Sequence, residues 1–413
     1  METVSFPASV EIIVPGIFPV GVQFLFRRSI MARHILFLLF LPICCCLVFP
    51  LALSAQEGGG KPPIYLGQSC ALTGPAMNLG VELRAGLRAA LAESNRQGGI
   101  DGREIILISV DDGYEPYRAV ENTQRLIEQE NVFLMIGEVG TPTSEAVIAL
   151  TEKRKIPFFA PYSGAELLRS PFRRYVVNIR GSYYQEMEKV VAYYVDKLRL
   201  ERLSCFHQND SFGRDGLHGA EKALARRGLK LVSTGTYERN TVAVLGGMND
   251  VFEGDPQAVL LVGTYAACAE FIKLSKLRHG KDIHFSNISF VGSSILQESL
   301  GAAGENVIIS QVVPFPWDNS IPLVREYALA MQTYQHDIPL GFTSLEGYIA
   351  GRLFTAIARE VRGELTREKF IRTMEEVGRF DLSGVVMEFG PDDHQGLDQV
   401  RLTAIYPDFK VIE

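Results

Sequence analysis

Short apolar segments of strand type alternate with longer amphipathic segments of helix type along most of this 413-residue chain. The first repeat runs from "IYLGQ" at Ile64 into a helix predicted over residues 81–97. Leu83, Leu87 and Leu91 recur on one face of that helix. "EIILISV", "NVFLMIG" and "IPFFAP" follow as strands, with a helix-like segment between each pair. Strands separated by helices predict βαβ units and a mostly parallel sheet.

The same pattern begins again after Arg180 and predicts a second α/β unit of similar size. "RLSCFHQ", "KLVSTGTY", "DPQAVLLVG" and "SNISFVG" have strand composition and alternate with helix-like segments. From about Pro322 the chain is mainly helical, and it ends in the strand-like segments "GVVMEFG" and "VRLTAIY". The sequence therefore predicts an α/β protein of two lobes around a cleft. Ligands of such sheets bind outside the carboxyl ends of the strands, so the turns after each strand are the places to examine.

Residues 31–55 have the composition of a secretory signal peptide. A basic start precedes the apolar run "ILFLLFLPICCCLVFPLALSA", which ends in small residues. Cleavage is expected near Ala55, and Met31 is a candidate start of translation, so residues 1–55 are read as an upstream segment plus the signal. A membrane anchor is the alternative, but two prolines interrupt the apolar run. The expected location of the mature chain is the periplasm.

Charge and cysteine content exclude several classes of protein. A net charge of −7 and a pI near 5.7 argue against nucleic acid or an anionic membrane surface as the partner. Three of the six cysteines lie in the signal segment, which leaves Cys70, Cys205 and Cys268 at wide spacing. This is neither a disulfide framework nor a metal pattern, so these three are interpreted as small buried side chains.

The turns after the strands lack the motifs of nucleotide and metal sites. There is no P-loop, no Gly-x-Gly-x-x-Gly after a strand and no His-Glu-x-x-His, so we expect no cofactor and no metal. "GQSCA", which contains Ser69, approaches a nucleophile elbow, but Ala71 stands where the last glycine belongs. Asp111, Asp112 and Glu115 are interpreted as turn and helix-cap residues in preference to acid/base or metal-binding residues. A secreted hydrolase is the weakest alternative, and we expect a protein that is not an enzyme.

Hydroxyl groups follow two neighbouring strands of the predicted sheet. In "GEVGTPTSEA", Thr141, Thr143 and Ser144 accompany the unpaired N–H groups of a helix expected to begin at Ser144. "APYSGAE" repeats this arrangement one strand later with Ser163 and Gly164. Two adjacent loops of this kind are expected to bind one carboxylate together without a Lys or Arg. The alternative is that each hydroxyl only caps its own helix.

Aromatic residues of the second unit are candidates for covering the apolar part of a ligand. Tyr183, Phe212 and Tyr265 follow predicted strands or crossovers, although a lone aromatic at such a place is as often part of the core. Arg180 and Glu186 flank the first predicted crossover. They either form a hinge ion pair or contact the ligand.

Several of these segments together resemble a known family. "LTGPAMNLGVELRAGLRAALAESNRQGGIDGREIILISVDDGYEP" resembles the start of the type I periplasmic binding proteins of ABC transporters, of the branched-chain amino-acid (Leu/Ile/Val)-binding kind. "MIGEVGTPTSEAV", "PFFAPYSGAELLR", "CFHQNDSFGRDGL" and "LEGYIAGRLFTAIA" resemble the segments that follow, in the same order, over nearly all of the chain from about Lys61. The resemblance implies two Rossmann-like lobes joined by three crossovers. On this basis lobe 1 is expected to comprise residues 62–181 with 315–388, and lobe 2 residues 182–314 with 389–413.

The resemblance also implies a function. Such proteins trap a small-molecule ligand by hinge closure and deliver it to a permease in the membrane that is driven by an ATPase. We therefore expect those two partners, no nucleic acid, no cofactor, and a chain that acts as a monomer. A module that senses a ligand and signals to a receptor or regulator is the alternative, with the same fold.

The resemblance assigns roles to individual residues. Thr141 matches the family's carboxylate-binding hydroxyl, and Ser163 and Gly164 fall where a backbone carbonyl and a further hydroxyl or N–H group meet the ligand. Phe212 and Tyr265 match aromatic wall positions on the second lobe.

Two positions depart from the family pattern. Ser294, in "VGSSIL", stands where amino-acid binders place an acidic residue for the ligand ammonium, and Leu79 replaces the usual aromatic of the first loop. A buried ammonium without a carboxylate partner is costly. A small carboxylate, an amide or an aromatic acid is therefore as good a candidate ligand as a branched-chain amino acid.

Overall fold

The computed structural model describes residues 61–412. The predicted signal segment at residues 31–55 and its cleavage near Ala55 lie outside this range. Within residues 61–412, no helix combines the length and the apolar character that a bilayer span requires.

A five-stranded parallel sheet forms the centre of the first lobe. Its strands are β1 (Ile64–Cys70), β2 (Ile105–Asp111), β3 (Leu134–Ile136), β4 (Phe158–Phe159) and β5 (Val176–Val177). They lie side by side in the order β2–β1–β3–β4–β5. The helices that connect them are α1 (Met77–Arg96), α2 (Pro116–Glu128) and α3 (Thr141–Lys153). Since every pair of neighbouring strands is parallel, all five strands end at the same edge of the sheet.

Two of these helices begin earlier than their apolar periodicity predicts. Helix α1 begins at Met77, where the turn after "LTG" already supplies a hydrogen bond from the Met77 amide to the Gly74 carbonyl (3.1 Å). Helix α3 begins at Thr141 and contains Pro142 in its first turn. Proline is tolerated there because its missing N–H would have no partner within the helix.

A seven-stranded sheet forms the centre of the second lobe. In chain order the remaining strands are β6 (Leu203–Gln208), β7 (Thr234–Tyr237), β8 (Ala258–Val262), β9 (His284–Asn287), β10 (Val307–Gln311), β11 (Arg379–Leu382), β12 (Val385–Glu388), β13 (Arg401–Ala404) and β14 (Lys410–Val411). The second sheet has the order β14–β13–β10–β9–β8–β6–β7, and β11 and β12 pair separately as a small antiparallel sheet. Strands β6 to β10 are parallel to one another, whereas β13 pairs antiparallel with both β10 and β14.

Helices cover the second sheet and then return the chain to the first lobe. The helices after the first sheet are α4 (Tyr183–Val191), α5 (Ser211–Ala225), α6 (Leu245–Phe252), α7 (Tyr265–His279), α8 (Ser293–Leu300), α9 (Pro322–Tyr334), α10 (Phe342–Glu360) and α11 (Arg367–Val377). Residues of α9, α10 and α11, such as Leu323, Phe354 and Phe370, share a hydrophobic core with Leu66 of β1 and Leu87 of α1. The chain therefore passes between the lobes three times: after β5, after β10 and after β12.

This architecture confirms the predicted fold class of two mostly parallel α/β lobes joined by three crossovers. The sequence pattern did not predict β5, β10, β11, β14, α6 or α8. The segment "SNISFVG" is not one strand, because it divides into β9 and a turn of 3₁₀ helix at Ser289–Val291. Cys70, Cys205 and Cys268 are buried and free, as the sequence predicts.

Candidate functional site

Thr141 and Ser163 meet at the carboxyl edge of the first sheet. Their hydroxyl oxygens lie 2.8 Å apart, and both side chains are fully buried. The backbone hydrogen bond from Tyr162 N to the Glu138 carbonyl (2.7 Å) joins the two loops that carry them. When one hydroxyl donates to the other, the second keeps its hydrogen for another acceptor. The predicted adjacency of the two loops is therefore observed.

The other two hydroxyls of this turn are directed back to the protein. Thr143 Oγ1 donates to the Val139 and Gly140 carbonyls at 2.6 and 3.0 Å, and Ser144 Oγ donates to the Gly140 carbonyl at 2.6 Å. Because α3 begins at Thr141, both residues lie within its first turn, where a Ser or Thr hydroxyl reaches preceding carbonyls. The expectation that Thr143 and Ser144 face a ligand is wrong.

Gly164 brings the second lobe against this pair of hydroxyls. Its carbonyl accepts a hydrogen bond from Tyr183 N at 2.7 Å, at the start of α4. A Cβ at position 164 would lie 2.5 Å from Cδ1 of Tyr183, so only glycine permits this approach. The Tyr183 hydroxyl is buried near Thr141 and Ser163 without a hydrogen bond of normal geometry to either. Burial raises the pKa of Tyr183 to about 12, so the phenol stays neutral and available as a donor.

An aromatic cluster continues from Tyr183 across the boundary between the lobes. The ring centroids of Tyr183 and Phe212 are 5.4 Å apart, and those of Phe212 and Phe290 are 4.5 Å apart. Phe290 in turn contacts the rings of Tyr162 (5.4 Å) and Tyr114 (6.1 Å) of the first lobe. The lobes are therefore in contact along the cleft, in a closed arrangement.

Three aromatic residues of this cluster were not predicted as site residues, although the turns that contain them were identified as candidate binding turns. Tyr114, Tyr162 and Phe290 all follow strands, in "DDGYEP", "APYSGAE" and "SNISFVG". The position of each residue after a strand was the available signal. In these turns the hydroxyl-bearing residues were taken as candidates, and the aromatic side chains beside them were not.

Tyr265 and Ser294 lie at a different part of the cleft from Thr141. A Cβ at Gly292 would lie 3.4 Å from Cδ1 of Tyr265 and 2.7 Å from Cδ2 of Leu79, which places these side chains together. The Tyr265 hydroxyl accepts a long hydrogen bond from Asn78 N (3.5 Å). Five of the seven predicted site residues thus gather around Thr141. Tyr265 lies beside Leu79, and Ser294 lies in the first turn of α8 against Gly341 of the first lobe.

Arg180 and Glu186 form an ion pair beside the first crossover, which is one of the two roles that the sequence allowed for them. The guanidinium is fully buried, with Nη2 3.5 Å from Glu186 Oε1 and Nη1 3.5 Å from Glu346 Oε1. Arg180 also hydrogen-bonds Ser289 of the second lobe and lies 4.8 Å from the centroid of the Tyr162 ring. Because Glu346 belongs to α10 of the first lobe, this one cation joins both lobes beside the first crossover.

Asp111 and Asp112 accept hydrogen bonds from the amides of the turn after β2, as the turn interpretation predicts. Glu115 stands at the N-cap position of α2 but makes no side-chain cap hydrogen bond, so the cap interpretation is wrong for its carboxylate. Asp111 Oδ1 accepts hydrogen bonds from the amides of Leu72, Thr73 and Gly113. Ser69 Oγ is fully buried within β1 and donates to Asp112 Oδ2 at 2.8 Å. Within residues 61–412, no group of three or more His, Cys, Asp or Glu side chains is arranged to hold a metal ion.

A polar contact joins the lobes at the edge of the cleft. Arg239 Nη2 lies 3.0 Å from Glu115 Oε2, and Asn240 Nδ2 donates to Glu115 Oε1 at 2.7 Å. Asn240 Nδ2 also reaches the Gly113 carbonyl at 3.0 Å. Arg239 lies 3.4 Å from Asp210 within its own lobe. We call Glu115, Arg239 and Asn240 the latch.

A separate groove of about 910 Å³ lies at the opposite edge of the first sheet, where the strands begin. Its lining includes Tyr65, Arg103, Lys155, Tyr175 and Arg367. None of the predicted site residues lines it.

A family model, curated relatives and solved structures all indicate the same protein family. A family model described as periplasmic binding protein matches residues 63–408. Leu/Ile/Val-binding protein homolog 7 of Brucella abortus is 23% identical over 329 residues, which cover 76% of this chain and 82% of that protein.

Solved structures agree with this result. A possible leucine/isoleucine/valine-binding protein from Rhodopirellula baltica is 36% identical, with a TM-score of 0.82 over 86% of this chain and 97% of that one. A solute-binding protein of an ABC transporter from R. palustris, in complex with benzoate, is 18% identical, with a TM-score of 0.76 over 85% of this chain and 95% of that one. This second likeness concerns the fold alone.

Proposed function

This chain belongs to the periplasmic binding protein family, in its branched-chain amino-acid-binding group, and from this premise we propose that it delivers a small amino-acid-like or carboxylate- or amide-bearing solute to an ABC importer. Members of the family are substrate-binding proteins and not enzymes. The family implies a periplasmic location. Export by a cleaved signal at residues 31–55 is part of the proposal.

The observation that carries the proposal is the pair of hydroxyls at Thr141 and Ser163. They lie 2.8 Å apart at the amino end of α3, inside a cleft closed by the second lobe. The first amide groups of a helix have no partner within it, and the helix dipole favours a negative group at this end. A solute carboxylate or amide oxygen is the group that such an arrangement binds, without an arginine or lysine.

The proposed contacts divide into two groups. Thr141, Ser163 and the backbone at Gly164 bind the oxygen-bearing end of the solute, while Tyr183 and Phe212 cover its apolar part. Two further contacts come from Tyr265 and Ser294. The R. baltica relative is named for branched-chain amino acids and the R. palustris protein was solved with benzoate, so amino acids and aromatic acids both belong in a ligand screen.

Closure of the two lobes is the proposed means of capture. The moving bodies in this proposal are residues 62–181 with 315–388 and residues 182–314 with 389–413. The latch and the Arg180 cluster bridge these bodies, so both would break or rearrange on opening. We propose that a monomer in the closed form is what the permease recognises.

A thermal-shift screen of mature protein with amino acids, amides and organic acids tests this function. A solute that binds only the folded protein raises the melting temperature in proportion to its affinity and excess. Thr141→Val keeps the side-chain shape and removes the hydroxyl, so it should weaken binding of the best solute by about 1–3 kcal/mol. Ser144→Ala is the matched control, because its hydroxyl donates to the Gly140 carbonyl.

Two results would contradict the proposal. One is a screen in which no amino acid, amide or organic acid raises the melting temperature. The other is a solute whose affinity is the same for Thr141→Val as for the wild type.

A further inference from the structure

The groove at the amino edge of the first sheet has a basic lining. Its volume of about 910 Å³ falls within the range of small-molecule sites, roughly 300–1,000 Å³. One acidic side chain, Glu368, lines it. The cationic side chains that line it are Arg103, Arg154, Lys155, Arg174 and Arg367. On a chain with a net charge of −7, this is a local excess of positive charge.

Three of these cations have no carboxylate partner among residues 61–412. Arg103 donates from Nε and Nη2 to two backbone carbonyls just before β1, at 2.7 and 3.2 Å. Arg367 donates from Nε and Nη2 to two backbone carbonyls just before β3, both at 2.7 Å. The Lys155 ammonium makes neither a hydrogen bond nor an ion pair within the described range. Neutral carbonyls orient a guanidinium without cancelling its charge, so the groove keeps these positive charges.

The backbone at Lys155 favours a residue other than lysine. Lys155 has a φ of 51°, in the left-handed region, and stands two residues after the last residue of α3. Glycine or asparagine is usual at that position after a helix, because a Cβ is strained there. Strain of this kind persists where the surrounding structure or a function requires it. The ammonium group in the groove is such a use for the lysine.

Helix α11 directs its amino end to the same groove. Thr366 is its N-cap residue and accepts a hydrogen bond from Lys369 N at 3.3 Å. The first amides of a helix have no partner within it, and the helix dipole favours an anion at this end. Burial lowers the pKa of Arg367, and no anionic group of residues 61–412 offsets that effect. An anion bound beside Arg367 would therefore stabilise its charged form.

We propose that this groove is a second binding site, for a soluble phosphate monoester that carries a flat apolar group. A phosphate monoester has a charge of roughly −1.5 to −2 at neutral pH and three acceptor oxygens, so it matches several unpaired cations better than one carboxylate does. The forked donors of arginine suit phosphate oxygens. The Tyr65 ring, 37% exposed in the groove, is a surface for the flat group. This site goes beyond the proposed transport function and does not depend on it.

Glu368 is the internal competitor of such a ligand. Its Oε1 lies 2.8 Å from Arg174 Nη2, and its Oε2 accepts a hydrogen bond from the Tyr175 hydroxyl at 2.9 Å. The Glu368 side chain is 57% exposed, so a phosphate can displace it from these donors. Removal of its charge should therefore strengthen binding of the ligand, whereas removal of a groove cation should weaken it.

Isothermal titration of the mature protein with phenyl phosphate tests the site, at about pH 8 where the phosphate is a dianion. Wild type should bind phenyl phosphate more tightly than inorganic phosphate, and the affinity should fall as salt is added. Lys155→Gly should weaken binding about tenfold or more, because a hydrogen bond between charged groups is lost. Glycine suits the backbone at this position, so the melting temperature should stay close to that of wild type.

Three further variants complete the test. Lys155→Arg keeps the cation and should retain binding. Lys153→Gln removes an exposed lysine that does not line the groove, so it should leave the affinity unchanged. Glu368→Gln should tighten binding by about two- to fivefold. A general effect on folding does not produce opposite changes at Lys155 and Glu368.

The outcomes separate this site from the cleft. Weaker binding of phenyl phosphate by Lys155→Gly, together with tighter binding by Glu368→Gln, supports the proposal. No binding at millimolar phenyl phosphate, or an equal loss in Lys153→Gln, overturns it. Lys155-dependent cosedimentation with phosphatidylglycerol vesicles, without binding of phenyl phosphate, overturns the soluble ligand in favour of a lipid headgroup. The thermal-shift response to cleft solutes should be unchanged in Lys155→Gly, so failure of this proposal leaves the transport function standing.

Discussion

Removal of the Glu115 carboxylate should shift the two lobes towards the open arrangement. Glu115 contacts Arg239 Nη2 at 3.0 Å and accepts a hydrogen bond from Asn240 Nδ2 at 2.7 Å, and these are contacts between lobes. The side chains of Glu115 and Arg239 are 30% and 23% exposed, so solvent and salt screen this ion pair less than a fully exposed pair. Taking about 1 kcal/mol for the ion pair and a similar amount for the hydrogen bond, Glu115→Ala should cost roughly 2 kcal/mol of closure.

That loss has a defined effect on solute affinity. If the open form dominates without solute, 2 kcal/mol corresponds to a dissociation constant roughly 30-fold higher. The measurement is isothermal titration of the tightest solute from the screen, at low salt and at about 0.5 M salt. The difference from wild type should shrink at high salt because the ion pair is screened.

A matched control is available on the helix that follows. Glu121 is exposed on α2, and Glu121→Ala removes the same charge from the same lobe without touching the second lobe. An affinity unchanged by Glu115→Ala, or lowered equally by Glu121→Ala, would refute a contribution of the latch to closure.

The remaining predictions concern stability and are measured by urea unfolding. Arg180→Met leaves buried acids of both lobes without their cation, so it should cost about 3–5 kcal/mol, and a loss below about 1 kcal/mol would contradict that. Gly164→Ala places a Cβ 2.5 Å from Tyr183 Cδ1 and should cost about 1–3 kcal/mol, whereas Gly246→Ala, with no atom within 4 Å, should stabilise its helix slightly. Burial opposes ionisation of Asp111, but hydrogen bonds from neighbouring hydroxyl, amide and guanidinium groups outweigh it and lower the pKa to about 2. The stability that this carboxylate contributes is present above about pH 4 and is lost as the pH falls towards 2, so Asp111→Asn should be less sensitive to acid than wild type over that range.

Local pattern and a rule of sheet geometry were enough to predict the fold class and one end of the candidate site. Strand-like segments separated by helices predict parallel sheets, and strands of a parallel sheet end at one edge. Thr141 and Ser163 follow neighbouring strands, so their adjacency could be expected before any coordinates. The observed separation of 2.8 Å between their oxygens agrees with that expectation.

Contacts between the lobes could not be predicted in the same way. Arg239 and Glu115 are 124 residues apart in the chain, and their pairing depends on the angle at which the lobes meet. Periodicity within a segment contains no information about that angle.

The direction of individual hydroxyl groups could not be predicted from the sequence either. Thr143 and Ser144 have the same side-chain chemistry as Thr141, yet they bond to carbonyls of the preceding turn. The starting residue of α3 decides which hydroxyl points out of the helix. A shift of that start by three residues, from Ser144 to Thr141, therefore reverses the prediction for two side chains.

A crystal structure of the mature protein with the tightest solute from the screen tests the central claim most directly. The account predicts one solute in the cleft between the lobes, with a carboxylate or amide oxygen about 3 Å from Thr141 Oγ1 or Ser163 Oγ. A solute bound elsewhere, such as the groove lined by Arg103 and Arg367, with the hydroxyl pair untouched, would contradict it.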